Sequence, residues 1–169
     1  MPATLYLFIG YPGAGKTTIA KIISDKTHAV HLWADVERHK LFKEPTHSEK
    51  ESHELYDKLN KATDYLLEQG KSVVFDTNFN HFADRQKLRQ IADKHAAKTV
   101  IVWVTTPIKV ARQRSVKSHK SRNLYSASMT DEQFKSITVK LEPPLNEEGV
   151  IKIDGSKISK PAVIKALGL

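Results

Sequence analysis

Cysteine is absent from all 169 residues, and that alone excludes a disulfide framework, cysteine-ligated zinc, iron–sulfur clusters and thiol nucleophiles. Long apolar runs are missing too. The runs at residues 5–9 and 100–104 fall far short of the roughly 20 residues a membrane helix needs. No basic n-region precedes the first, which reads as a strand rather than a signal peptide. A cytoplasmic protein with no membrane partner is the expectation. Aromatic residues make up only 8% of the chain. None is interleaved with the cations from Arg112 to Arg122, Tyr125 coming just after them, which argues against a stacking platform for bases. Acidic residues disappear altogether between Lys94 and Thr130, where Lys94, Lys98, Lys109, Arg112, Arg114, Lys117, Lys120 and Arg122 stand. The net charge is +8, so these cations account for the whole excess. Such an asymmetry either favours a polyanion as partner or marks a solvated basic helix face.

What remains has globular proportions, 40% hydrophobic and 27% charged. A chain of this length buries roughly 70% of its unfolded surface, which suits a single domain over residues 1–169. Short apolar runs at residues 4–9, 29–33, 72–75, 99–104 and 150–153 read as strands. Segments of helical period separate them, at residues 48–69, 83–96, 130–141 and 158–167 among others. Thr106-Pro107 has the form of an N-cap followed by proline at the first helical position, opening a helix toward Lys117. Thr130 and Gln133 have the spacing of a capping box. Buried strands alternating with helices predict an α/β fold with a five-stranded, mainly parallel sheet, helices on both faces and right-handed crossovers. A basic lid, mobile and irregular, is expected over about residues 113–129. His28 and His31, read as strand residues three apart, face opposite sides, and His47 and His53 lack zinc spacing, so no histidine metal site is expected.

The strongest motif is Gly10-Tyr-Pro-Gly-Ala-Gly-Lys-Thr17, which fits G-x-x-x-x-G-K-[ST] between a predicted strand and a predicted helix. Gly10, Pro12, Gly13, Ala14, Gly15 and Thr18 form the backbone of a phosphate cradle at a helix N-terminus. Lys16 reaches the β- and γ-phosphates of ATP, and Thr17 offers a hydroxyl to Mg²⁺. Asp76 ends an apolar strand, where a carboxylate can hold the same metal or else cap a following helix. Thr77 follows it, so the acid pair of hydrolytic motors is missing. A guanine-reading Asn-Lys-x-Asp is also missing, which favours ATP.

Asp35 and Arg38 follow the second strand, on the side of an open sheet where ligands bind. Asp35 either deprotonates an acceptor hydroxyl or caps a helix, and Arg38 on the same helix side can hold an anionic group of the acceptor. Arg112 and Arg114, with Arg122 beyond them, are the cations available to a migrating phosphoryl group. These residues alone do not single one out.

Taken together, the P-loop, Asp35-x-x-Arg38, Asp76-Thr-Asn-Phe-Asn80, the basic segment and Glu142-Pro-Pro144 resemble the AAA-domain P-loop kinases that include phage polynucleotide 5′-kinase. A more distant likeness runs to the zeta-toxin and chloramphenicol phosphotransferase kinases. The resemblance implies a nucleotide-kinase-like P-loop NTPase fold, a three-layer sandwich with the P-loop strand central. It implies Lys16 and Thr17 on ATP·Mg²⁺, Asp35 as general base toward a nucleic-acid 5′-hydroxyl, Arg38 on the acceptor's phosphate, and Asp76 and Asn78 supporting the site. A small-molecule hydroxyl on a nucleoside, sugar or antibiotic is the alternative acceptor, and a non-catalytic ATP switch a third reading. Family members place two lid arginines about four residues apart; here those positions after Arg112 and Arg114 are Val116 and Ser118, and Arg122 stands in for the second.

Overall fold

The computed structural model describes residues 2–116 and 129–169. The strands are β1 (Thr4–Ile9), β2 (Val30–Trp33), β3 (Val73–Asp76), β4 (Lys98–Val104) and β5 (Ile151–Ile153). They form one sheet in the order β2-β3-β1-β4-β5, with every pairing parallel. The expected α/β architecture is present, with the strand that leads into the P-loop at the centre.

The strand residues dictate this arrangement because β1 and β3 are apolar on both faces, as a sheet covered on both sides requires. Leu5, Leu7, Ile9, Val73 and Phe75 point to one layer, where they meet Leu55, Leu59 and Leu67 of α3 (Glu49–Glu68) and Leu88 and Ala92 of α4 (Phe82–Lys94). Tyr6, Phe8, Val74, Val102 and Val104 point to the other, against Ile19, Ala20 and Ile23 of α1 (Lys16–Thr27) and Val163 of α7 (Lys160–Leu167). Each fully buried Leu, Ile, Val or Phe contributes about 1.5–3 kcal/mol of transfer free energy. The remaining helices are α2 (Ala34–Leu41), α5 (Ile108–Val116) and α6 (Asp131–Thr138).

Several local expectations are corrected. His28 is not in a strand: it follows α1 in the left-handed conformation, at φ 59°. Thr106 does not cap α5 with its side chain. Its hydroxyl donates to the Ala14 carbonyl at 2.7 Å, tying the start of α5 to the P-loop. Gln113 to Val116 continue α5 rather than opening an irregular lid. The rest of the expected lid, Arg122 included, lies outside the described residues apart from Met129. Thr130 and Gln133 do form the capping box of α6. Among the described residues no helix is long and apolar enough to cross a membrane.

Candidate active site

The P-loop connects β1 to α1, and two of its glycines show why no other residue fits. Gly13 sits at φ 75°, and a Cβ there would drive into the Ala111 carbonyl and the Ser115 hydroxyl of α5. Gly15, at φ 108°, would drive a Cβ into Ile158. The backbone is therefore free to approach an anion closely, with the N-terminus of α1 behind it. Lys16 Nζ donates to the carbonyls of Gly10 at 3.0 Å and Tyr11 at 2.8 Å. Burial lowers its pKa to about 8, against the pull of Asp76 and Asp35. A largely desolvated ammonium held by its own loop, with no bonded carboxylate among the described residues, is fitted to an incoming phosphate.

Across the cradle, Thr17 Oγ1 donates to Asp76 Oδ1 at 3.2 Å. A hydroxyl and a buried carboxylate at that separation are hard oxygen donors of the kind Mg²⁺ takes, so these two residues fit the metal that ATP would bring. Asp76 is the last residue of β3, and α4 begins six residues later with His81 as its N-cap, so Asp76 caps no helix.

Asp35 does not cap a helix either. The N-cap of α2 is Trp33, and Asp35 stands one residue inside the first turn. Its side chain reaches the surface, yet desolvation by the surrounding residues raises its pKa, followed by the repulsion of Asp76; Arg38, His47 and Lys16 act against them. A carboxyl lifted above its usual range and within electrostatic reach of Lys16 is tuned toward accepting a proton.

Arg38 is brought to the same end of the sheet, but it is 5% exposed and engaged. Its Nη1 donates to Glu51 Oε1 and its Nη2 to Ser52 Oγ at 3.3 Å. Burial would push the Glu51 carboxyl up, but the Thr46 amide, Arg38, the Thr46 hydroxyl and the His47 amide outweigh it and hold the pKa at about 2. Tyr56 adjoins this pair: its hydroxyl lies 2.9 Å from Thr77 Oγ1, and its pKa is raised by burial against the lowering contacts of Thr77 and Arg38. Asn78 is half-buried and makes no hydrogen bond among the described residues. Asn80 accepts from the Gly10 amide at 3.2 Å, while its Nδ2 is buried without a partner among the described residues.

The two arginines of α5 are also engaged. Arg112 forms a bidentate pair with Asp131, at 2.8 and 2.5 Å. Arg114 donates to the carbonyls of Gly155 at 2.7 Å and Ser156 at 3.2 Å, securing the loop that follows β5 beside the P-loop.

A family model described as an AAA domain matches residues 5–144. The chain belongs to that family. No curated protein sequence matches it. Solved structures do, as folds. A sugar kinase from Janibacter sp. HTCC2649 superposes with a TM-score of 0.72 at 19% identity, covering 99% of this chain and 94% of its own. The APS kinase of Mycobacterium tuberculosis, in complex with AMPPNP and APS, gives 0.69 at 17%, covering 99% of both chains. A gluconokinase from Sinorhizobium meliloti 1021 gives 0.67 at 17%, covering 99% and 90%. The AAA-domain chain therefore has a P-loop kinase-like fold.

Reading the sequence missed Glu51, Tyr56, Thr77 as a hydrogen-bond partner, Asn80 and the hydroxyl of Thr106. Asn80 alone had a usable signal, since it falls within the short string that follows the β3 aspartate.

Proposed function

We propose that this AAA-domain protein is an ATP-dependent phosphotransferase acting on the hydroxyl of a small molecule. The observation that carries the reading is that Lys16 and Asp35, at the starts of the helices that follow β1 and β2, meet Asp76 at the carboxyl end of β3, where both carboxylates act on the Lys16 ammonium. ATP·Mg²⁺, when bound, supplies the transferable γ-phosphoryl group. Lys16 and the P-loop amides would hold its phosphates, and Thr17 and Asp76 would hold the metal. Asp35 takes the proton from the acceptor hydroxyl as that oxygen bonds to the γ-phosphorus and the γ-phosphorus bond to the β–γ bridging oxygen breaks, releasing ADP. Tyr56, Thr77, Asn78 and Arg38 border the acceptor side, and Arg112, Arg114 and Arg122 are the cations available to the migrating charge. The structural neighbours, a sugar kinase, an APS kinase and a gluconokinase, support a small acceptor.

A nucleic-acid 5′-hydroxyl is the second reading, favoured by the cations between Lys94 and Thr130. The engagement of Arg112 by Asp131 and of Arg114 by backbone carbonyls weighs against it.

The test is transfer of labelled γ-phosphate from ATP·Mg²⁺ to a panel of sugars, nucleosides, aminoglycosides and a 5′-hydroxyl oligonucleotide. Label on a small molecule, lost in Lys16→Ala, is the expected result. Asp35→Ala should lower transfer by about 10²–10⁴ while sparing ATP affinity. Label on the oligonucleotide alone, with affinity falling steeply in salt, would replace the first reading by the second. Nucleotide binding with no transfer to any acceptor would return the switch.

A further inference from the structure

Asp76 has a second partner that the proposed reaction does not use. His31 Nε2 lies 3.0 Å from Asp76 Oδ2, on the carboxylate edge opposite to the oxygen that faces Thr17. The parallel register of β2 and β3 creates this contact. Trp33 pairs with Asp76 and His31 with Val74, so His31 stands one pleat behind the carboxylate on the same face of the sheet. The ring is held there. It stacks on Trp33 with 5.8 Å between centroids and planes 1° apart, and Lys21 of α1 lies 4.7 Å from the Trp33 centroid on that same layer. An ionised carboxylate only accepts, so Nε2 is the donor.

We propose that His31 is the positioning residue of Asp76: its ring N–H fixes one carboxylate oxygen so that the other stays aimed at Thr17 and the metal. The inference rests on the nucleotide site proposed above. A carboxylate that is 3% exposed has little water to satisfy its outer edge. Without the imidazole it is free to rotate and satisfy both oxygens elsewhere, and the Thr17-facing oxygen loses its direction. Partners that orient a metal-holding group in this way are typically worth about 10–100-fold in metal affinity. His31 touches neither nucleotide nor acceptor in this account, so its effect is confined to how much metal the site requires.

The experiment is a Mg²⁺ titration of AMPPNP binding, read by calorimetry and by tryptophan fluorescence, repeated with Mn²⁺ and then followed by transfer assays over the same Mg²⁺ series. His31→Ala should raise the half-saturating Mg²⁺ concentration about tenfold, with kcat recovering at high Mg²⁺. His31→Gln, which offers an N–H near the position of Nε2, should restore most of the wild-type requirement. A wild-type Mg²⁺ requirement in folded His31→Ala would overturn the proposal, and so would a raised requirement that His31→Gln shares in full. Should His31→Ala fail to fold, His31→Leu and His31→Gln make the same comparison, with equal Mg²⁺ requirements counting against it. Asp76→Asn separates the layers of the argument. A raised requirement there with none in His31→Ala removes only the positioning role, whereas no change in Asp76→Asn withdraws the metal assignment and this proposal together.

Discussion

Two buried arginine–glutamate pairs, built from the same groups, sit in different parts of the molecule. Arg85 of α4 binds Glu148 through two contacts, at 2.7 and 3.0 Å, and both side chains are wholly buried. Arg85 also donates to the Phe79 carbonyl at 2.9 Å, and the Leu145 amide donates to Glu148 at 2.8 Å. The pair therefore staples α4, the turn at Asn146–Glu148 and the strap that follows β3. Arg38 and Glu51 staple α2 to α3 in a similar way. Yet Arg38 also acts on Asp35 and on the Tyr56 hydroxyl, whereas Arg85, among the described residues, meets backbone, Glu148, the Phe82 ring 5.7 Å away and the charge of Glu142, none of them a candidate site residue. Equal burial thus does not give equal roles; what differs is the company each guanidinium keeps.

The comparison predicts its largest effect at the remote pair. Removing one partner of a buried pair strands the other charge and costs about 3–5 kcal/mol, so Arg85→Met should lose that much in denaturant unfolding. Its kcat and KM, measured well below the new Tm, should stay near wild type. Arg38→Met should reverse the pattern. Glu51 keeps the Thr46 amide, the Thr46 hydroxyl and the His47 amide as donors, so the stability loss should be smaller than for Arg85→Met. The acceptor KM should instead rise about tenfold, near 1.4 kcal/mol, with ATP affinity unchanged. If both variants lose stability alone, the two pairs are one structural device used twice.

Tyr56→Phe is a milder probe of the same neighbourhood. It deletes the hydroxyl that meets Thr77 and leaves the packing in place. A net hydrogen bond of about 1 kcal/mol predicts a fall of roughly fivefold in kcat/KM for the acceptor, with stability altered by a similar amount or less. A wild-type kcat/KM would remove Tyr56 from the acceptor wall.

The fold was legible because its signals are local. Apolar strands, the P-loop glycines and the Thr130–Gln133 capping box each speak through neighbouring residues. The helix α2 was less legible, since Ala34 to Leu41 is polar on most positions and follows its strand with no intervening turn. At the site, Lys16, Thr17, Asp35 and Asp76 could be named because strand ends and motif spacing place them. Their partners could not. Glu51 lies 13 residues from Arg38, Thr77 lies 21 from Tyr56, and His31 lies 45 from Asp76. Each pairing depends on how helices dock and how strands register, which no local spacing encodes. Arg38 shows the consequence most clearly: its type and position suggest a free anion ligand, and the fold gives it Glu51.

The smallest predicted effect discriminates between the two pairs most directly, because it is read at Asp35 rather than at either pair. Asp35 works as a base only when ionised, so the rate of transfer should rise with pH through its pKa in the folded protein, which lies above the usual carboxylate value near 4. Arg38 lowers that pKa, and Glu51 offsets part of the arginine's charge. Glu51→Gln leaves the guanidinium uncompensated, so the acid limb of the kcat/KM profile should move to lower pH, by less than about one unit. Glu148→Gln makes the same chemical change in the remote pair, where Arg85 is not among the main charges acting on Asp35. Its limb should stay where the wild type has it. Equal shifts in the two variants would mean that both arginines act on the site through the overall field of the protein, and the distinction between them would fail; no shift in Glu51→Gln alone would place the limb on a group other than Asp35.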